Sequence, residues 1–587
     1  MQRPFMLAGA VLVPAVALAA LFASAATLDR LSLWVIHGIL ALSLVLVWGR
    51  GGIFSLGQSG LAGLAGYAYG VVAVNLLTSR WALPAGVAAG AATAALAAGL
   101  LGYFMFYGRV SQINVAIITL ATTLVLYALF NNTADPRWHV GDAILGGSNG
   151  MVGIPLPKLG GAVLDKRVFF LLAVAVAGVC AVSVTVLFRR PIGRVAAAIR
   201  SNEVRAELLG YDVRAHRLRL FVVGAAIAGT AGGLFAAWGS FIDPSVLALQ
   251  PAILVVIWTL VGGRSQVAGA FVGALAVGLI DHELGGAGGR YTPIYLGATM
   301  IAIVLAFPGG LLGGVEQLRS RGWRPVPRES EPSVLALGAA LLPADAPTSV
   351  LVAHGARKRF GGVEALAGVD LDLPERGVHC LIGPNGAGKT TLFSLLTGAE
   401  RPTAGRILLD GRDITRLPPH RRARLGIGMK VQGVSVFDDL PARENLWLAA
   451  YAGTRSARAA DAHAGRLLQE LALAHVGHLP AEALSHGQRQ WLEIGMVAAR
   501  QPSIVLLDEP TAGMSVEETR HTVELVRRLG ERTCVVVVEH DMEFIRALEA
   551  PVTVLHLGRV LTRGSLAEIE RDEAVLDVYL GRQHVAA

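Results

Sequence analysis

The chain has 587 residues, 53% hydrophobic and 16% charged, with a mean hydropathy of +0.54 and a formal net charge of +8. Soluble proteins carry about 25% charged residues, and disorder needs low hydrophobicity with many charges, so neither class fits. Three scattered cysteines, Cys180, Cys380 and Cys534, make neither a disulfide framework nor a metal site, and the 70 glycines lack the three-residue period of collagen.

The averages conceal two unlike halves. Residues 1–313 hold 19 Lys/Arg and 10 Asp/Glu, whereas residues 314–587 hold 32 and 33. The first half is poor in charge and net positive; the second has the charge density of a soluble domain. This is the pattern of a membrane domain (1–313), a cytoplasmic linker (314–349) and a soluble domain (350–587). The positive balance sits wholly in the membrane half, so it does not mark a nucleic-acid surface, and no nucleic-acid partner is expected.

Apolar runs long enough to cross a bilayer, about 17–25 residues each, recur through the first half. They predict about ten spans, near 6–26, 31–49, 59–78, 83–105, 114–130, 168–188, 218–241, 250–263, 266–283 and 291–313. The N-terminus imitates a signal peptide, with Arg3, an apolar run and Ala23-Ser24-Ala25-Ala26. A second apolar run follows at once, so a retained first helix is expected. The pair 250–263 and 266–283 is short and interrupted by glycine, which suits a broken or re-entrant helix.

Lys/Arg in short loops set the orientation. The segment 189–219 carries eight arginines against Glu203, Glu207 and Asp212, and Arg319, Arg321, Arg324 and Arg328 follow the last span. Both clusters should face the cytoplasm, and an even number of spans between them is required. Within the first cluster, Ile199–Gly210 alternates apolar and charged positions at helical spacing and ends in glycine. A helix lying at the membrane surface and a coupling helix moved by a cytoplasmic motor both fit this pattern. The linker holds Pro325, Pro327, Pro332, Pro343 and Pro347, with a possible short helix at Leu335–Leu342.

In the soluble half an apolar strand, Gly377–Ile382, runs into Gly383-Pro384-Asn385-Gly386-Ala387-Gly388-Lys389-Thr390-Thr391. This is the G-x-x-x-x-G-K-[ST] phosphate loop in a strand–loop–helix setting. Its glycines permit positive φ and close backbone approach, so N–H groups can ring a β-phosphate at the helix N-terminus. Lys389 is expected to reach the β/γ-phosphates of ATP, and the Thr390 hydroxyl to ligate Mg²⁺. A second strand, Ser503–Leu507, ends in Asp508-Glu509-Pro510. Successive strand residues face opposite sides, so Asp508 suits the Mg²⁺ water shell and Glu509 suits the general base for the attacking water. A third strand, Val535–Glu539, delivers His540 toward the γ-phosphate. Between them Leu484-Ser485-His486-Gly487-Gln488 opens a helix with Ser485 as its cap, a second anion seat.

These motifs together resemble the ATPase of ABC transporters over residues 350–583. The resemblance implies that Ser485, Gly487 and Gln488 belong to the signature that closes on nucleotide, and that Ala512–Ser515 form the D-loop. It makes Gln432 the loop glutamine, near Mg²⁺ and the catalytic centre, and Phe360 the aromatic that stacks on adenine. It also implies that two such domains close head to tail, with ATP between one phosphate loop and the other signature. Met429-Lys430-Val431-Gln432 departs from the family, which usually has an aromatic directly before the glutamine. Ser485–Met496 and Val538–Phe544 are most similar to ATPases of urea and short-chain-amide importers, close relatives of the branched-chain amino-acid importers.

The first half resembles the matching permeases at Ser55–Gln58, Gly146–Gly150, Gly193–Gly210, Val261–Gly263 and Phe307–Gly310, although relatives often carry His where Gln58 stands. This favours the coupling-helix reading of 199–210. The expected fold is a polytopic α-helical membrane domain fused to an α/β phosphate-loop ATPase. The expected function is ATP-driven import of a small polar solute, either urea or an amide or a branched-chain amino acid. The implied partners are a second permease domain and a second ATPase domain, from separate subunits or a second copy of this chain. An external substrate-binding protein and membrane lipid complete the set, with the bacterial cytoplasmic (inner) membrane as location. A half-size exporter acting as a homodimer, and an ATP-binding sensor without transport, are the competing classes.

Overall fold

The computed structural model describes residues 22–77, 79–288, 292–307, 309–314, 342 and 348–580. The expected spans at 6–26 and the helix at 335–342 fall largely outside these residues, as does most of the linker. The chain divides into two compact units, residues 1–197 with 214–326, and residues 198–213 with 327–587.

The first unit is a helical bundle. Ser24 caps Ala25–Leu44, which continues through a π-turn to Arg50, and Ser111 caps Gln112–Asn131. Among the described residues, five helices are long and apolar enough to span: 25–50, 82–107, 112–131, 166–189 and 213–239. A sixth candidate is the pair Leu249–Gly262 and Val267–Glu283, bent by 114° at the break. Length and composition thus do not confirm ten spans, although among the described residues a helix lies at each of the nine expected positions from 31–49 to 291–313. Gln58–Asn75 carries glycines, tyrosines and polar ends, and it is largely buried within the bundle, so it need not be as apolar as a lipid-facing helix. Thr292–Ala306 has only 15 residues.

The bent pair is the Gly-interrupted feature that the sequence marks. Arg50 Nε donates to Ser265 O (2.7 Å), which puts the bend at the Arg50 end of the bundle, and Arg30 meets His282 near the other end. The second arm thus turns back along the helix Ala25–Leu44 from the bend. Small residues let the arms meet: a Cβ at Gly262 would lie 1.7 Å from Gly269 O. A Cβ at Gly232 would lie 1.9 Å from Ala62 O, a second backbone-to-backbone approach.

The second unit is α/β. Its main sheet has the strand order 427–430, 504–508, 534–538, 377–382, 552–556, 559–564, parallel except for the last pairing. The central strands are buried along their whole length and rich in Val, Ile and Leu, as helix-covered parallel strands must be. A second, antiparallel sheet is built on Leu351–Phe360, Val363–Leu373 and Ala404–Leu409. Residues 198–213 fold as part of this unit. The single helix expected over 199–210 is two, Pro191–Ser201 and Glu203–Leu208, because the Asn202 side chain accepts from Arg205 N and caps the second.

Candidate functional site

Parallel strands end together, and ligands of such sheets bind at their carboxyl edge. Asp508 pairs in register with Val538, and Val538 with Leu381, so Asp508-Glu509, Glu539-His540 and the loop from Gly383 share one edge. Lys430 pairs with Leu507, which brings the Gln432 loop to that edge as well.

The phosphate loop has the backbone its glycines allow. Gly386 and Gly388 have φ of 81° and 103°, and Gly388 precedes the helix Lys389–Thr397 as its cap. Asn385, Gly386 and Thr390 are exposed, and Thr391 is half-buried. Lys389 Nζ donates to Gly383 O (2.6 Å) and Pro384 O (3.1 Å), curled over the carbonyls of its own loop. Burial lowers its pKa, opposed by the charges of Asp508 and Glu509. A compact cation thus waits beside the amide cradle, where an anion would exchange weak carbonyl partners for phosphate.

Asp508 is buried, and its Oδ2 has no hydrogen-bond partner. Burial, and then the neighbouring Glu509, push its pKa up to about 6. An orphaned carboxylate oxygen beside a second carboxylate, Glu509, fits a divalent cation. Among the described residues no three His, Cys, Asp or Glu side chains gather as a metal site. A cation here would complete its shell with phosphate oxygens and water, as Mg²⁺ does.

Glu509 has a φ of 47° outside the strand proper, with its N–H held by Val538 O at 2.9 Å. A left-handed glutamate costs backbone energy and redirects its carboxylate away from the strand's alternation. Its Oε1 lies 3.8 Å from His540 Nδ1, and the His540 side chain is 72% exposed. Glu539 is the buried support of this corner. It accepts from Thr511 N (3.0 Å), Thr511 Oγ1 (2.6 Å) and His540 N (3.1 Å).

The remaining expected residues occupy separate places. Gln432 is exposed in the loop after Ile427–Lys430. Phe360, half-exposed at the end of its strand, lies under Lys358 Nζ, 4.7 Å from the ring centroid. Ser485 caps His486–Ala498 in a capping box with Gln488. His486 Nε2 lies 2.9 Å from Ala512 O, and a Cβ at Gly487 would meet Glu518 Oε1 at 1.9 Å. Ser485–Gln488 are thus locked to the 512–518 segment. Phosphate loop, paired acids and His540 form one cluster; Ser485–Gln488 open a helix that is held against the 512–518 segment.

Four charged residues escape a reading by motif: Arg205, Lys430, Glu493 and Glu539. The first three are fully buried. The signal for Lys430, Glu493 and Glu539 is a charge beside apolar neighbours, as in Leu492-Glu493-Ile494, whereas Arg205 sits among other charges and gives none.

Residues 366–512 match the family described as ABC transporter. Residues 26–304 match the family described as branched-chain amino acid transport system / permease component. BraF of Pseudomonas aeruginosa, a high-affinity branched-chain amino acid transport ATP-binding protein, is 36% identical over 249 residues, 40% of this chain and 98% of that protein. LivG of Escherichia coli K12, described in the same words, is 34% identical over 249 residues, with the same coverage. The crystal structure of the ADP conformation of an ATP-binding cassette is 25% identical, covers 40% of this chain and 100% of its own, and has a TM-score of 0.35.

Proposed function

This chain belongs to the branched-chain amino acid family of ABC transporters, a permease fused to an ATPase, and from that premise we propose that it drives uptake of a branched-chain amino acid. The observation that carries the solute class is the agreement of the two halves. The permease half matches a branched-chain amino acid permease family, and relatives of the ATPase half serve branched-chain amino acid transport. Urea, favoured by local motifs of the ATPase half, has no such agreement behind it. A cavity of about 410 Å³ in the permease unit supports the same solute. Phe235, Trp238, Phe241 and Ile242 give it apolar walls; of its charged lining residues, Asp29 and Lys166 pair with each other and Asp243 accepts from Ser245 N. An amino acid with an aliphatic side chain needs an apolar wall; urea needs none.

In the ATPase half the amide cradle of Gly383–Gly388 and Lys389 would hold the phosphates, and Phe360 would stack on the base. Thr390, Asp508 and Gln432 would hold Mg²⁺, whose chemistry would be charge neutralisation. Glu509 would take the proton of the attacking water, while His540 would contact the γ-phosphate. Ser485, Gly487 and Gln488 would serve the nucleotide of a second ATPase domain, as the family's head-to-tail pairing of two such domains implies. Closure of two such domains would shift residues 198–213, and with them the permease, between two states whose balance ATP biases. A second permease and ATPase, and a binding protein outside the bacterial cytoplasmic membrane, complete the proposed importer.

The reading is tested by the ATPase rate of the reconstituted complex with candidate binding proteins. Leucine-loaded binding protein is expected to raise the rate, and urea with its own candidate is not. Stimulation by urea alone would move the chain to amide transport.

A further inference from the structure

Arg205 reaches the catalytic edge of the ATPase through a short series of buried charges. It lies in the helix Glu203–Leu208, within the segment 198–213 that is continuous on both sides with the permease chain. Its side chain is fully buried. Nη1 donates to Met429 O at 2.8 Å and lies 3.5 Å from Glu493 Oε1; Nη2 donates to Glu493 O at 3.1 Å. The segment is fastened around it by Asn202 Nδ2 donating to Ser435 Oγ (3.1 Å), Tyr211 O–H to Leu448 O (2.6 Å) and Arg424 Nε to Gly210 O (2.8 Å).

Glu493 carries the contact onward. Its carboxylate accepts from Ser435 N (3.1 Å) and from the backbone of Val431, so it clasps both feet of the loop that holds Gln432. Lys430, also fully buried, stands at the entry of that loop. Its Nζ donates to Val431 O (3.1 Å), Asp508 O (3.2 Å) and Glu509 O (3.3 Å). One ammonium therefore ties the root of the loop to the carbonyls of both acids. Burying a guanidinium, a carboxylate and an ammonium is costly unless each is paired, and hydrophobic residues of equal size often serve stability as well. Their full burial at that cost points to a role beyond stability.

We infer that Arg205, Glu493 and Lys430 form a relay of positioning residues that sets the backbone of Asp508-Glu509 according to the placement of the 198–213 segment. The inference rests on the transport reading above and deepens it. All three are bonded to backbone groups inside the protein, so they act through the carbonyls and the loop they hold. The relay runs in both directions: nucleotide closure that moves Asp508-Glu509 moves the seat of Arg205, and displacement of the segment moves the acids.

The test is a double-mutant cycle on the full chain in its reconstituted complex in lipid. ATPase kcat, KM for ATP and Tm are measured for Lys430→Met, Lys430→Arg, Arg205→Met and the Lys430→Met/Arg205→Met pair. Lys430→Met is expected to lower kcat by about tenfold with KM for ATP within about twofold of wild type, and Lys430→Arg to restore most of the rate. The double variant is expected to be no slower than the slower single variant, because both changes break the same relay. Arg205→Met alone leaves Glu493 poorly compensated and can unfold, so Arg205→Met/Glu493→Gln is measured beside it and should fold with the same low kcat. Independent, multiplying losses, or a Lys430→Met enzyme with wild-type kcat, would overturn the relay. A wild-type complex without ATPase activity would overturn instead the transport reading beneath it.

Discussion

Glu509→Gln is expected to retain ATP binding and to lose hydrolysis by about 10²–10⁴-fold, the range for removing a positioned general base. The substitution preserves size and the ability to accept a hydrogen bond, so the left-handed turn and the 2.9 Å bond from Glu509 N to Val538 O need not change. What disappears is basicity at the point where the chain is bent, at φ 47°, to present it. His540 is 72% exposed and only 3.8 Å from Glu509, and the same cluster holds a buried Glu539 already committed to Thr511 and His540 N. Neither neighbour can replace it: the one is held loosely, the other is fully occupied. Single-turnover hydrolysis and equilibrium nucleotide binding on the same preparation check the split. A variant that hydrolyses at the wild-type rate would remove Glu509 from the mechanism.

Asp508→Asn is expected to do the opposite to stability and activity. The carboxyl is buried, one oxygen is orphaned, and its pKa is pushed from 3.8 up to about 6, first by desolvation and then by Glu509. A carboxylate whose folded pKa is raised destabilises the fold where it is ionised. The penalty is absent below the unfolded value near pH 4, grows as pH rises to about 6, and is complete above that. Two units correspond to about 3 kcal/mol. Near pH 7.5 and without nucleotide, Asp508→Asn should therefore raise Tm by several degrees, and the gain should shrink as pH falls toward 5. ATPase activity should be lost, since the amide cannot neutralise a divalent cation. A thermal melt across pH decides this, and an unchanged or lower Tm at pH 7.5 would show that Asp508 is not strained in the free enzyme.

Much of the catalytic edge was legible in sequence because it is made of short local signals. Gly383–Thr391 needs glycine for its positive φ values, Ser485 needs Gln488 three residues on to form its box, and Asp508-Glu509 needs only a buried strand before it. The bent pair near Gly262 was legible for the same reason, as glycine marks a backbone approach. The number of spans was not, because apolar length alone does not tell a full crossing from a short or bent helix, as the 15-residue Thr292–Ala306 and the pair bent by 114° show. The break at Asn202 was hidden by the regular spacing of the apolar and charged residues around it, which says nothing of a side chain that caps. Arg205, Lys430 and Glu493 were invisible for a different reason. Their long-range partners lie 58 to 288 residues away along the chain, and a charge beside apolar neighbours does not name what compensates it.

The central claim is that nucleotide consumed at the Asp508-Glu509 edge moves an amino acid through the permease half. It is tested most directly by following labelled leucine in proteoliposomes that hold the full complex, with binding protein outside and ATP sealed within. Leucine should accumulate against its gradient only with ATP inside, and should fail to do so when Glu509→Gln replaces the wild-type chain. Leucine uptake that is indifferent to ATP, or accumulation of urea in its place, would contradict the account.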